Sequence, residues 1–136
     1  MPDVQFIWRL HPSTSYAALT QQNPQFFDLP PNTSFSTRSL QDDIDLAHWS
    51  LYRGSTAIVQ AAVSGVHPVY LHQAGEISID TLYEIADLRE HVVEPEDFKR
   101  LVLLGGSHIH NIGKIQDYCE SIYVPMTASV LAELIV

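Results

Sequence analysis

The sequence predicts an α/β fold, a parallel sheet with helices on both faces. Residues 48–53 and 66–72 are short apolar runs typical of buried strands, and residues 55–64 between them place apolar side chains at helical spacing. A strand, a helix and a strand in such short order require a right-handed crossover, which joins parallel strands. Because 136 residues suit one domain, we expect residues 1–136 to form a single α/β domain.

The amino-terminal region begins with a predicted strand at residues 4–10. Its apolar side chains are nearly continuous, which favours burial, and the run stops at His11-Pro12. A short helix over residues 16–22 follows, with a serine before it as the candidate cap. We expect these elements to lead into a loop.

That loop, residues 21–37, is rich in Asn, Pro, Gln, Ser and Thr and has room for one brief strand near residues 34–38. Residues 40–47 then predict a short helix. Carboxylates near its amino-terminal half suit the helix dipole, so we expect them at the surface as a solvated cap. They are Asp42, Asp43 and Asp45. Arg9 shares a strand face with His11, so it could join a pocket with His11 or pair with a buried carboxylate instead.

The strand at residues 48–53 ends in Gly54-Ser55-Thr56, which is a tight turn into the helix at residues 55–64. Gly65 stops that helix. The next strand, residues 66–72, carries its proline at the entry, where a strand tolerates one.

The carboxy-terminal half predicts mostly helices. An amphipathic helical run at residues 80–88 precedes a short strand at residues 91–94. Pro95 and the acidic residues after it begin a helix that Gly105-Gly106 ends. Two further helices, separated by Pro125, are expected at residues 111–124 and 126–135.

The composition excludes several classes of function. Sixteen acidic and seven basic residues give a net charge of −9, so we expect no nucleic-acid binding and no attraction to anionic membranes. One cysteine, Cys119, rules out an intramolecular disulfide framework. No apolar stretch is long enough for a membrane span, and we expect no signal peptide because the first apolar run soon meets Arg9 and His11. We therefore expect a cytoplasmic protein.

In an open parallel sheet ligands bind outside the carboxyl ends of the strands, so the residues that follow the strands are the informative ones. The predicted strands end at His11, at Gly54-Ser55-Thr56 and at His72, which Glu76 follows at a short distance. A turn of small residues at a helix start exposes N–H groups, and hydroxyls add donors, so this turn could hold a phosphate. The alternatives are that Ser55 only caps the helix and that His11 is structural.

Other candidate groups carry weaker signals. His108 and His110 have the spacing of a metal pair but lack a third ligand nearby in sequence. Cys119 has no neighbouring base, which favours an inert thiol. His67-Pro68 precedes its strand and so belongs to the opposite edge of the sheet. We assign no metal site and expect no metal cofactor.

The order of four motifs carries a resemblance to a known family. Trp8-Arg9-Leu10-His11-Pro12 is followed by Asp43-Ile44-Asp45-Leu46, then by Tyr52-Arg53-Gly54-Ser55-Thr56-Ala57 and by Gly65-Val66-His67-Pro68-Val69-Tyr70. Together they resemble the C-terminal, nucleotide-binding, Rossmann-like half of a GT-B glycosyltransferase. More narrowly, they are similar to bacterial surface and capsular polysaccharide enzymes with HP and Ser-Ser or Ser-Thr motifs: Kdo transferases, sialyltransferases and CDP-glycerol glycerophosphotransferases.

The resemblance implies roles for particular residues. It implies that His11, Ser55 and Thr56 bind the phosphate of the donor, with Gly54 in the same turn. Gln60 stands where many relatives carry a glutamate that binds the ribose, so Gln60, His72 and Glu76 are the candidates for ribose or base contacts. The implied function is the donor-nucleotide-binding portion of a glycosyltransferase for polysaccharide biosynthesis, with a CMP- or CDP-linked donor.

The resemblance also implies missing parts. Relatives have a second, acceptor-binding domain and a strand before the His-Pro strand, so we expect an N-terminal domain or a partner chain, with a homo-oligomer as one form of partner. The catalytic base belongs to that other domain and is not assigned here. The alternative is a non-catalytic module of the same fold that binds a nucleotide or a protein, and a nucleotide-sugar epimerase is a third, weaker option.

Overall fold

The computed structural model describes residues 3–106, 108–123 and 127–134. The chain divides into two compact units, Met1–Leu46 and Ala47–Val136. The fold is mixed α/β, with two small parallel sheets and helices, and the predicted fold class is confirmed. Within the described residues no helix has both the length and the apolar character needed to cross a membrane.

The first unit contains a two-stranded parallel sheet. Strand β1 pairs with strand β2 in the register Phe6↔Thr33, Ile7↔Ser34 and Trp8↔Phe35. The Trp8 and Phe35 rings stack, with their centroids 5.0 Å apart. The elements of this unit are β1 (Phe6–Trp8), α1 (Tyr16–Gln22), a 3₁₀ turn (Pro24–Phe27), β2 (Thr33–Phe35) and α2 (Leu40–Leu46).

The first unit corrects two expectations. The strand predicted at residues 4–10 does not join the sheet of the two later strands, because β1 is paired with β2. Apolar spacing identifies a strand but not its partner, and α1 lies in the connection that a parallel pair requires. Ile7 and Trp8 are 39% and 37% exposed, so the predicted burial is also wrong.

Helix α2 carries a second correction. Asp43, expected in the solvated cap, is buried and forms an ion pair with Arg9 at 2.7 Å between Nη1 and Oδ2. The suggestion that Arg9 pairs with a buried carboxylate is confirmed. Asp42 does serve as a cap, since its carboxylate accepts the Ser39 N–H at 3.2 Å. Hydrogen bonds with Ser39 lower the pKa of Asp42.

The second unit contains a three-stranded parallel sheet in the order β3-β4-β5. Tyr52 lies opposite Tyr70, and Tyr70 lies opposite His91, so the three side chains share one face of the sheet. The parallel pairing predicted for the strands at 48–53 and 66–72 is confirmed. The elements are β3 (Trp49–Tyr52), α3 (Ala57–Val63), β4 (His67–Leu71), a 3₁₀ turn (Tyr83–Ile85), β5 (Glu90–Val92), α4 (Pro95–Leu104), a second 3₁₀ turn (Ile109–Asn111), α5 (Ile112–Ile122) and α6 (Ala128–Leu134).

The core of this unit forms where α3 packs against β4 and α5. Ile58 and Ala62 on α3, Val69 on β4 and Ile115 and Cys119 on α5 are almost completely buried. Burying such side chains is the main driving force for folding. This packing holds β3 and β4 side by side and fixes the edge at which both strands end.

The segment between β4 and β5 differs from the expectation. A helix was predicted at residues 80–88, but the structure has only the 3₁₀ turn Tyr83–Ile85. The carboxylate of Asp80 accepts the Leu82 N–H at 2.9 Å and also bonds to the Tyr52 hydroxyl. A side chain that binds its own backbone in this way competes with a helix. For the last two predicted helices, Val124, Met126 and Ile135 lie outside the described residues.

Candidate functional site

The turn Gly54-Ser55-Thr56 lies at the carboxyl end of β3 and is exposed. Gly54 has φ +82°, a conformation that favours glycine, and a Cβ atom there would lie 3.1 Å from Cγ2 of Ile79. A tight turn and a close approach therefore both require glycine at this position.

The donors at this turn differ from those expected. The Ser55 hydroxyl accepts the Ala57 N–H at 3.3 Å, while Ile58 N–H and Val59 N–H bond to the carbonyls of Ser55 and Thr56. The first N–H groups of α3 are therefore occupied, although the N-cap residue is Thr56, whose side chain makes no capping bond. Within the described chain no partner is present for the backbone N–H groups of Ser55 and Thr56 or for the Thr56 hydroxyl. These three exposed groups, together with the Ser55 O–H that the Ala57 contact does not use, are the donors that remain for a ligand.

Residues 73–81, which we call the rim segment, run past this turn. The Thr81 hydroxyl donates to the Ser55 carbonyl at 3.3 Å, and Ile79 contacts Gly54. Arg53 forms an ion pair with Glu76 and donates to Oε1 of Gln73 at 2.8 Å. Glu76, a predicted ribose partner, is thus already paired with an arginine.

A buried ion pair anchors the segment that follows. Asp80 and Arg89 have side chains that are only 4% and 6% exposed, and Oδ2 of Asp80 accepts from Nη2 of Arg89. Oδ1 of Asp80 accepts the Tyr52 hydroxyl at 2.6 Å, and burial with this bond raises the pKa of Tyr52. The Arg89 guanidinium lies 4.6 Å from the centre of the Tyr70 ring. These contacts tie the connection between β4 and β5 to the sheet.

A cavity of about 520 Å³ opens beside this network. The buried groups of the network, Tyr70, Asp80 and Arg89, contribute to its lining. The predicted residue His72 also lines it, with its ring 6.3 Å from that of Tyr70. The remaining lining residues are Ser78, Tyr83, Ala86, Asp87 and His91.

The structure does not bring all the predicted site residues together. Gly54, Ser55, Thr56 and Glu76 meet around the rim segment, and His72 lines the cavity. Gln60 is half-buried on α3. The seventh candidate for ligand contact, His11, belongs to the first unit.

His11 is exposed and held in a local turn. Its Nδ1 accepts the Ser13 N–H at 3.2 Å and lies 2.7 Å from the Ser13 hydroxyl. The proton of the neutral ring therefore belongs on Nε2, which leaves Nε2 as a hydrogen-bond donor.

The other candidate groups behave as structural residues. Cys119 is fully buried, and burial raises the pKa of its thiol to about 11. His67 lies at the amino end of β4, at the edge opposite the turn. His108 lies 3.3 Å from the Asn111 side chain, and the described residues contain no cluster of three metal-binding side chains.

Sequence analysis missed Asp80, Asp87, Arg89 and His91. Asp80 and Asp87 lay in a run assigned to an amphipathic helix, where charged residues are ordinary. One signal was available. The chain has only seven lysines and arginines, so Arg89, directly before a strand, could have been expected to have a partner.

Comparisons with protein-family models, with curated proteins and with solved structures found no match.

Proposed function

We propose that this chain is a nucleotide-binding α/β protein, the donor-binding portion of a glycosyltransferase that uses a CMP- or CDP-linked donor. The observation that carries the proposal is the exposed turn at the carboxyl end of β3, where the N–H groups of Ser55 and Thr56 and the Thr56 hydroxyl remain available. Donors of this kind, at this edge of a parallel sheet, suit a phosphate group.

In this proposal the turn stabilises negative charge on the leaving phosphate. Preorganised N–H and hydroxyl donors are effective because they need no rearrangement as charge develops. Gly54 holds the turn and Ile79 packs against it, so the donors are presented by a constrained backbone. We further propose that the donor binds without a metal ion. Gln60, His72 and Glu76 remain the proposed ribose or base contacts.

The second candidate is a non-catalytic module that binds a partner protein. It is favoured by apolar side chains on the rim segment, since Ile77 and Ile79 are 86% and 66% exposed. Exposed apolar residues that lie together are typical of interaction surfaces. On this alternative the turn shapes a docking surface and holds no ligand.

Titration with nucleotides separates the two candidates. We expect CMP and CDP to shift the backbone amide signals of Ser55 and Thr56 in ¹H–¹⁵N NMR spectra, equally with and without EDTA. The affinity should be on the order of 0.1–1 mM, because the exposed turn offers a ligand only a few hydrogen bonds. The double variant Ser55→Ala/Thr56→Ala should bind several-fold more weakly.

Ser64→Ala is the matched control, because Ser64 caps the other end of the same helix. It should bind as the unaltered protein does. Tight binding of AMP that requires Mg²⁺ would reject the cytidine-donor proposal. No shift with any nucleotide would favour the interaction module.

A further inference from the structure

The cavity between β4, β5 and the segment that joins them has no role in the phosphate contact. It adjoins the turn, because Ser78 lines the cavity and the next residue, Ile79, packs against Gly54. Consecutive Cα atoms are about 3.8 Å apart. The turn and the cavity are therefore adjacent along the rim segment.

The charges of the cavity select against a phosphate. Arg89 is paired with Asp80, so its positive charge is already neutralised. Asp87 lines the same cavity, is exposed, and has no bonding partner for its carboxylate among the residues that the structure describes. An unpaired carboxylate repels an anion and attracts hydrogen-bond donors. These charges suit a ligand group that is uncharged and carries N–H or O–H donors.

The remaining lining groups suit a flat ring. His72, Tyr83 and His91 are aromatic and exposed, whereas Tyr70 is buried beneath the Arg89 guanidinium and forms the floor of the cavity. Aromatic rings stack on the faces of bases, and an imidazole can donate to a ring nitrogen or a carbonyl. A cavity of about 520 Å³ is within the usual range for a small ligand.

We propose that this cavity receives the base of the nucleotide and that Asp87 selects a base with an exocyclic amino group. The inference rests on the proposed function, whose phosphate site it extends. The amino group of cytosine donates two hydrogen bonds and suits a carboxylate. Uracil places a carbonyl oxygen at that position, and two acceptors facing each other repel. Asp87 is thus a specificity-determining residue.

The test compares CMP with UMP in NMR titrations of the unaltered chain and of Asp87→Asn. We expect the unaltered protein to bind CMP about tenfold more tightly than UMP, the usual effect of one hydrogen bond to a charged group. CMP should shift amide signals at residues 70–72 and 87–91 as well as at the turn. Asp87→Asn should lose most of this preference, because an amide both donates and accepts.

The matched control is Asp117→Asn, which removes the same charge from an exposed position on α5. It should keep the preference for CMP, which separates a direct contact from a general effect of charge. If CMP shifts the turn but not the cavity, or if Asp87→Asn keeps the preference, this inference is wrong and the phosphate site stands. If no nucleotide shifts any signal, both proposals are wrong.

Discussion

At Gly54 a backbone requirement and a packing requirement coincide. Its φ of +82° costs an L-residue about 1–2 kcal/mol, and an added Cβ would meet Ile79 at 3.1–3.3 Å. Gly75 has nearly the same φ, +80°, but nothing lies within 4 Å of an added Cβ. The two glycines therefore separate backbone strain from steric contact.

We predict that Gly54→Ala lowers the free energy of unfolding more than Gly75→Ala does. Both variants lose stability because alanine disfavours the positive φ. Gly54→Ala loses about 1–3 kcal/mol more because its methyl group overpacks the turn. Urea denaturation followed by circular dichroism measures both. Equal losses would show that Ile79 does not pack on the turn as described.

The ion pair of Asp80 and Arg89 makes a second prediction at the residue scale. Asp80→Ala leaves a buried guanidinium without its partner and should cost about 3–5 kcal/mol of unfolding free energy. Glu76→Ala breaks the exposed ion pair with Arg53 and should cost less than about 1 kcal/mol. Replacing both buried partners, Asp80→Leu with Arg89→Met, should cost less than Asp80→Ala alone. Similar losses for Asp80→Ala and Glu76→Ala would contradict the buried network.

Among the secondary-structure elements, those built on local pattern were predictable. Strands β3 and β4 with α3 between them follow from apolar spacing and from Gly65, and the structure confirms their parallel pairing. The partner of β1 was not predictable, because a strand pattern does not name its neighbour. The helix expected at residues 80–88 failed because Asp80 bonds to Leu82 N–H and to the distant Tyr52, a tertiary contact.

The packing of α5 on α3 predicts the reactivity of Cys119. The thiol is fully buried, and burial raises its pKa to about 11, so little thiolate forms near neutral pH. We expect no reaction with a disulfide reagent in the native protein and one equivalent after unfolding in guanidinium. Rapid reaction in the native state would contradict the packing of these two helices.

We predict that His67, at the amino end of β4, makes the stability of the protein depend on pH. Burial and the nearby His48 lower the pKa of His67, while Glu90 opposes this shift. The folded state therefore binds fewer protons than the unfolded state once the pH falls below 6.5, so stability decreases as the pH falls through that value. His67→Gln should show a smaller change in urea midpoint between about pH 7.5 and about pH 5.5. An identical change in both proteins would contradict this assignment.

For the whole molecule, the sequence predicted the turn but not the site around it. Gly54-Ser55-Thr56 is contiguous and follows a strand, so its place at the edge of the sheet could be derived from pattern alone. The cavity could not, because Tyr70 and Arg89 meet only after β4 and β5 pair. Contacts of this kind depend on tertiary structure, which apolar spacing does not encode.

The central claim is that the turn after β3 holds the phosphate of a nucleotide. A crystal structure of the chain with CMP tests it most directly. We predict a phosphate oxygen within hydrogen-bond distance, about 2.7–3.2 Å, of the N–H groups of Ser55 and Thr56. A phosphate bound elsewhere, or a turn that stays empty under saturating CMP, would contradict the claim.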